Sequence, residues 1–182
     1  LYAVSAAFPE LRRSADRQEL GRHVLLHEAS RQVCADGGHA ERSAHYHRYS
    51  TDFYLLALLV ARASRDTAVD RFEDIVNAHA RYLRSITDDS GRLPLLGDDD
   101  GGQLFGLCGG EPPDASPTLA AAAAILRDPS LAVGPACEEV SWILGRPPAV
   151  SIDVDARRAW PSRVFSATGY FVSRTDRGDH LI

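Results

Sequence analysis

The sequence predicts a mainly α protein in which successive helical hairpins come first and an extended, strand-forming unit follows. Three observations predict it. Apolar residues recur every three or four positions through several long segments, which is the helical period. Those segments are separated by glycine, proline and aspartate clusters that stop helices. Near residue 150 the period changes from about 3.6 to two, the signature of strands. The expected division is therefore a helical unit over residues 1–148 and a β unit opening at residues 149–182.

The elements follow in order. Leu1 to Ala7 reads as the tail of a helix already under way. After Phe8-Pro9 a helix is expected over residues 14–33, with Ser14 as its cap and Leu20, Val24, Leu25 and Ala29 on its buried face. His23 and His27 ride on it four residues apart; without an HExxH order they read as an ordinary surface pair. The next helix, over residues 52–65, carries apolar residues on nearly every side, from Phe53 through Val60, and so packs on two fronts. A cleanly amphipathic helix over residues 68–86 buries Phe72, Ile75, Val76, Tyr82, Leu83 and Ile86, with His79 on the same stripe as a hydrogen-bonded core residue. A long loop over residues 87–117 contains Leu93, Leu95 and Leu96, which favour order, and the acidic run Asp98-Asp99-Asp100. That run lacks the spacing and the closing glutamate of a calcium loop. An alanine-rich helix over residues 118–127 is entered through Ser116-Pro117 and allows close approach of a neighbour; a short one over residues 136–144 ends at Gly145. Beyond, residues 151–155 alternate, and residues 169–174 and 180–182 form a hairpin turned by residues 175–179.

Composition narrows the function. The 182 residues carry 20 Lys+Arg against 25 Asp+Glu, a formal charge of −5, so no basic surface argues for nucleic acid. No apolar run approaches the ~18 residues of a membrane span. Cys34, Cys108 and Cys137 lie far apart with no CxxC pair, as buried or free thiols do. The absence of methionine and the helix at Leu1 suggest an internal piece of a longer chain, so a missing signal peptide carries no weight.

The stretch richest in chemistry runs Asp36-Gly37-Gly38-His39-Ala40-Glu41-Arg42-Ser43-Ala44-His45-Tyr46-His47-Arg48-Tyr49. It reads as a glycine-started loop between two helices, crowded with proton-handling groups on a rigid scaffold. A locally basic cleft holding Arg42, Arg48 and the histidines would attract an anionic substrate even under a negative net charge. A carboxylate of the acidic run, Asp98 foremost, is a candidate for orienting that substrate.

Three segments resemble the heparinase II/III-like polysaccharide lyases, whose relatives include alginate lyases. Gln32 to Arg48 is similar to that family's "Q, DGG, E-x-S, YH" segment, Leu93-Pro94-Leu95-Leu96-Gly97-Asp98-Asp99-Asp100 to its "P, GD, D" loop, and Ser166-Ala167-Thr168-Gly169-Tyr170-Phe171-Val172-Ser173-Arg174 to its "SGY, R" opening of a C-terminal β-sandwich. The resemblance implies a partial (α/α) toroid of antiparallel helical hairpins, then the first strands of that sandwich. It also implies β-elimination at a uronic acid in an anionic polysaccharide. The C5 proton beside a carboxylate is very weakly acidic, so such an enzyme must neutralise the developing charge, remove the proton and protonate the leaving O4. Tyr46 matches the family's catalytic tyrosine, an acid and for some substrates a base, and cations nearby, such as Arg48 or a protonated histidine, would lower its pKa. His47 sits in the same motif as a second catalytic candidate; His45 and Arg48 are candidate carboxylate binders. Glu41 either orients a histidine or arginine or forms a structural pair.

The resemblance further implies a carboxylate-neutralising Asn or His before Leu1 and a sandwich-domain histidine beyond Ile182. Any metal of the sandwich would lie there too, so no cofactor or metal is expected in these residues and the 182-residue piece alone is expected to be inactive. Secretion or a periplasmic location is the family expectation, and the oligomeric state is left open. Two alternatives stand beside the lyase: an inverting glycoside hydrolase using Glu41 and Asp98, whose carboxyls would sit about 6.5–9.5 Å apart, and a non-catalytic glycan-binding relative.

Overall fold

The structure, a computed structural model, describes residues 1–105, 114–133, 138–145, 160–175 and 178–181. Helices come first and an antiparallel sheet last, so the chain is mainly helical, as its patterning predicts. Helix α1 spans Tyr2–Ala7 and α2 spans Ser14–Gln32. Ser14 is not the cap of α2. Arg13 occupies that position in a left-handed conformation (φ 60°), and the Ser14 hydroxyl instead donates to the carbonyls of Ser5 (2.6 Å) and Phe8 (3.1 Å), stapling α2 to the end of α1. The buried face of α2 also differs from expectation. Leu20 and Val24 are half exposed, because α2 meets α1 through Gly21, where a Cβ would come within 2.7 Å of the Tyr2 nitrogen.

Helix α3 spans Ala44–Ser64, beginning eight residues before the expected start. The reason is local. Ser43 caps it, accepting a hydrogen bond from the Tyr46 amide, so the segment after the glycines is already helical. Helix α4 spans Val69–Ile86 and buries Phe72, Val76, His79, Tyr82, Leu83 and Ile86, the stripe its sequence predicts. Helix α5 spans Ser116–Leu126 with Pro117 in its first turn, and α6 spans Glu138–Leu144. A 3-10 turn, Pro129–Leu131, follows α5, its Ser130 amide bonded to the Asp128 carboxylate. Helix α3 packs against α1, α4 and α5, which accounts for its apolar residues on several sides.

Three strands, β1 (Arg163–Phe165), β2 (Tyr170–Thr175) and β3 (Gly178–Leu181), form an antiparallel sheet in the order β1-β2-β3. Ser173 pairs with His180 across the expected hairpin. Strand β1 carries no sequence signal: three residues with an arginine among them are too short to show alternation. The expected strand at residues 151–155, the unit boundary at 148/149, Cys108, Cys137 and turn residues Asp176 and Arg177 lie outside the described residues.

Among the described residues the interior holds two apolar clusters. One, around Leu55, Leu58, Phe72, Val76 and the alanines of α5, ties the helices together. The other joins Tyr82, Leu83 and Ile86 at the end of α4 to Leu119, Phe165 and Val172, so the sheet shares a core with the helices. Arg174 strengthens that junction. Its guanidinium donates to the carbonyls of Thr87 (2.5 Å), Ser85 (3.1 Å) and Arg84 (3.3 Å), the orphan acceptors at the C-terminal end of α4.

Candidate functional site

The glycine segment is a structural seat. Asp36 Oδ2 accepts from the amides of Ala167 and Thr168 (2.8 Å each) and from the Thr168 hydroxyl (3.1 Å), holding the β1–β2 turn. Gly37 has φ +87° and lies so close to α4 that a Cβ would meet the Ala78 carbonyl oxygen at 2.5 Å; at Gly38 a Cβ would meet Thr168 at 2.4 Å. The Gly37 carbonyl accepts from His79 Nδ1 at 2.8 Å. That places the ring proton on Nδ1 and leaves Nε2 to accept from the Ser50 hydroxyl at 3.4 Å.

His47 lies in the same interior. It is 1 % exposed, donates from Nε2 to the His79 carbonyl at 3.0 Å, and packs against the rings of His79 (4.6 Å) and Tyr82 (4.7 Å). Burial pushes both imidazoles toward the neutral form, His47 well below its ordinary range and His79 down to about 4.

Tyr46 turns the other way. Successive residues on an α-helix point about 100° apart, and while His47 faces α4, the Tyr46 hydroxyl faces a strap made by residues 93–102. The strap is fastened along the first turns of α3. The Ala44 amide donates to the Leu96 carbonyl (2.9 Å), the Ser43 hydroxyl to the Asp98 carbonyl (2.6 Å) and the Arg48 guanidinium to the Gly102 carbonyl (3.0 Å). Gly97, with φ +72°, permits the close pass: a Cβ there would stand 2.7 Å from the Ser43 Cα. Of the strap's leucines, Leu93 is buried, Leu96 partly buried, and Leu95, expected to help order the loop, is 92 % exposed.

The Tyr46 hydroxyl donates to Asp100 Oδ2 at 2.6 Å. That hydrogen bond, reinforced by the negative charges of Asp100, Asp98 and Glu41, pushes the phenol up to about 12. The expectation of a cation-lowered tyrosine is therefore corrected. Arg48 is buried, 2 % exposed, and its guanidinium is engaged by the strap backbone, while carboxylates supply the field at the phenol. The His45 ring is buried, with Nδ1 3.2 Å from Asp99 Oδ1, and lines a cavity of about 100 Å³ with Pro94, Leu96, Gly97, Asp98 and Asp99. Glu41 is exposed; its amide donates to His39 Nδ1 at 3.3 Å.

The candidate residues thus divide by face. Tyr46, His45, Asp98 and Glu41 gather at the strap; Arg48 is buried but tied to the strap through Gly102, and His47 turns inward against α4. Sequence reasoning missed Asp100 as the partner of Tyr46, since three consecutive aspartates look alike until the loop path separates them. It also gave Asp36 no role, although its pairing with Gly37 and Gly38 marks a turn. Among the described residues no three His, Cys, Asp or Glu side chains converge to hold a metal, and no helix is long and apolar enough to cross a membrane.

Residues 1–100 fit the family model of the heparinase II/III N-terminus, which takes in the glycine segment, the start of α3 and most of the strap. The similar stretch at 166–174 lies beyond it. No curated protein and no solved structure matches the chain. With more than half of its length under that model, and with Tyr46 and most of the strap inside the matched part, the chain belongs to the heparinase II/III family.

Proposed function

We propose that the protein is a polysaccharide lyase that cleaves a uronic-acid-containing polymer by β-elimination, with Tyr46 delivering a proton at the glycosidic oxygen. Its helices then form part of an (α/α) toroid and its sheet opens a β-sandwich. The observation that carries the reading is the placement of the Tyr46 hydroxyl, capped from behind by a rigid helix start and open to solvent beside the strap. A general acid must be protonated at working pH and reachable by the leaving oxygen. A phenol at about 12 meets the first condition, and a half-buried side chain whose hydroxyl lies at a solvent-exposed hydrogen bond meets the second.

The exposed Arg42, four residues before Tyr46, is a cationic group that supports binding of an anionic sugar. Asp98 and Glu41 suit hydroxyl groups of the sugar. His47 and Arg48 act through Tyr46 as positioning residues. A polymer substrate is met outside the cell or in the periplasm, and that is the location proposed.

The test is to incubate the full-length protein with a panel of uronate polymers and follow ultraviolet absorbance. A lyase generates a conjugated C4=C5 double bond, and Tyr46→Phe lowers its rate by about 10²–10⁴-fold, the usual worth of a positioned proton donor. New reducing ends without that absorbance would assign the protein to the hydrolases, with Glu41 and Asp98 as the carboxylates. Polymer binding without turnover would make it a glycan-binding relative.

A further inference from the structure

The strap lies along the start of α3. Backbone at Leu96, Asp98 and Gly102 is tied to Ala44, Ser43 and Arg48, and between the last two ties the side chains of Asp99 and Asp100 meet His45 and Tyr46. Asp100 is thus held from both sides at 2.6 Å from the phenol oxygen, in a contact that no other side chain on the strap makes. A proton shared between a phenol and a carboxylate resides on the phenol, whose unperturbed pKa is higher by about six units. The other titratable groups facing the hydroxyl are Asp98 on the strap, Glu41 before α3 and His45 on α3, its ring centre 6.2 Å from that of Tyr46. Two of these three add negative charge, which opposes a phenolate.

We propose that Asp100 is a positioning residue that keeps Tyr46 a phenol, so that Tyr46 serves the elimination as acid alone and takes no part in removing the C5 proton. This rests on the lyase reading above. The C5–H bond breaks with its proton passing to a separate general base, and its electron pair forms C4=C5. The C4–O4 bond breaks with its pair going to O4, which takes the phenol proton of Tyr46. The resulting phenolate, placed beside Asp100, is a strong base and is reprotonated from solvent before the next turnover.

The test uses the full-length protein and two readouts. Phenolate absorbance is titrated as the difference between wild type and Tyr46→Phe, then again in an Asp100→Asn background. The Tyr46 transition is expected to move down by about one unit or more toward the ordinary phenol value near 10 and to return in Asp100→Glu. An unmoved transition overturns the assignment of Asp100. In the second readout kcat is followed against pH. An acid-only tyrosine gives a rate that falls as Tyr46 ionises, and Asp100→Asn brings that fall to lower pH. A rate that rises through the Tyr46 transition, with Asp100→Asn faster than wild type at neutral pH, overturns the acid-only role. If the titration behaves as expected but no variant forms unsaturated product from any polymer, the Tyr46–Asp100 pair stands and the lyase reading falls. Asp100 is exposed, so an unchanged unfolding midpoint confirms that the variants are folded.

Discussion

Two neighbouring residues, Tyr46 and His47, show how one turn of helix separates an outward side chain from an inward one. Both lie in the first two turns of α3, yet one hydroxyl faces solvent and Asp100 while the adjacent imidazole is sealed against His79 and Tyr82. Their substitutions should therefore behave in opposite ways. Tyr46→Phe removes an exposed hydroxyl, so the unfolding free energy should stay within about 0.5 kcal/mol of wild type while activity of the full-length protein collapses. His47→Ala opens a buried site and leaves the packed rings of His79 and Tyr82 without their partner, so it should destabilise by about 2–4 kcal/mol, measured by denaturant unfolding. Were His47→Ala as stable as wild type and merely inactive, the inward placement of that ring would be refuted. At this scale the sequence revealed which residue types are present. It could not reveal their direction, because a helix start at Ala44 rather than residue 52 is decided by Ser43 and by the strap that Ser43 also holds.

Among the elements, the sheet depends on two anchors. Phe165 is fully buried, its ring 4.6 Å from that of Tyr82, and Asp36 gathers three donors of the β1–β2 turn on one oxygen. Phe165→Ala should cost about 3–5 kcal/mol. Asp36→Ala should cost about 1–3 kcal/mol, since hydrogen bonds to a charged acceptor are lost at a partly buried site. Hydrogen exchange is the telling measurement: protection should fall first in β1 and β2, with α3 and α4 less affected. Equal loss of protection in every helix would argue that the sheet is no separate unit of stability. The sequence predicted α4 well because its stripe is a strong one-sided signal. It failed on α2 because Gly21, which permits the close contact with α1, is invisible to a hydrophobic count.

For the molecule as a whole, the buried histidines that burial holds toward the neutral form, His47 and His79 with His39 shifted the same way, set the acid limb of stability. His79 is held down to about 4 and His47 well below its usual value, both mainly by burial, whereas unfolded histidine titrates near 6.5. Below about pH 6.5 the unfolded chain takes up protons that the native chain refuses, so the native state loses stability as pH falls toward 4. Each such histidine contributes a slope of about 1.4 kcal/mol per pH unit in that window. Asp66 and Asp88 are also held down, by hydrogen bonds to their carboxylates that outweigh burial, but they start from the carboxylate value of 3.8, so their loss comes at lower pH. Unfolding midpoints measured between pH 7 and 4 should therefore fall steadily in wild type and less steeply in a His79→Gln variant. A flat profile across that range would contradict the neutral interior imidazoles.

The sequence by itself determined the succession of helices and the β segment after them, the stripe of α4, and the family, because each is written in local period or in short motifs that need no partner. It also determined which fourteen residues deserved scrutiny. Only the tertiary structure decided which of those face solvent and which face the core. That choice turns on contacts between positions more than fifty residues apart, Ser43 with Asp98 and Tyr46 with Asp100, and a chain read residue by residue carries no record of which distant backbone will lie against a given helix face.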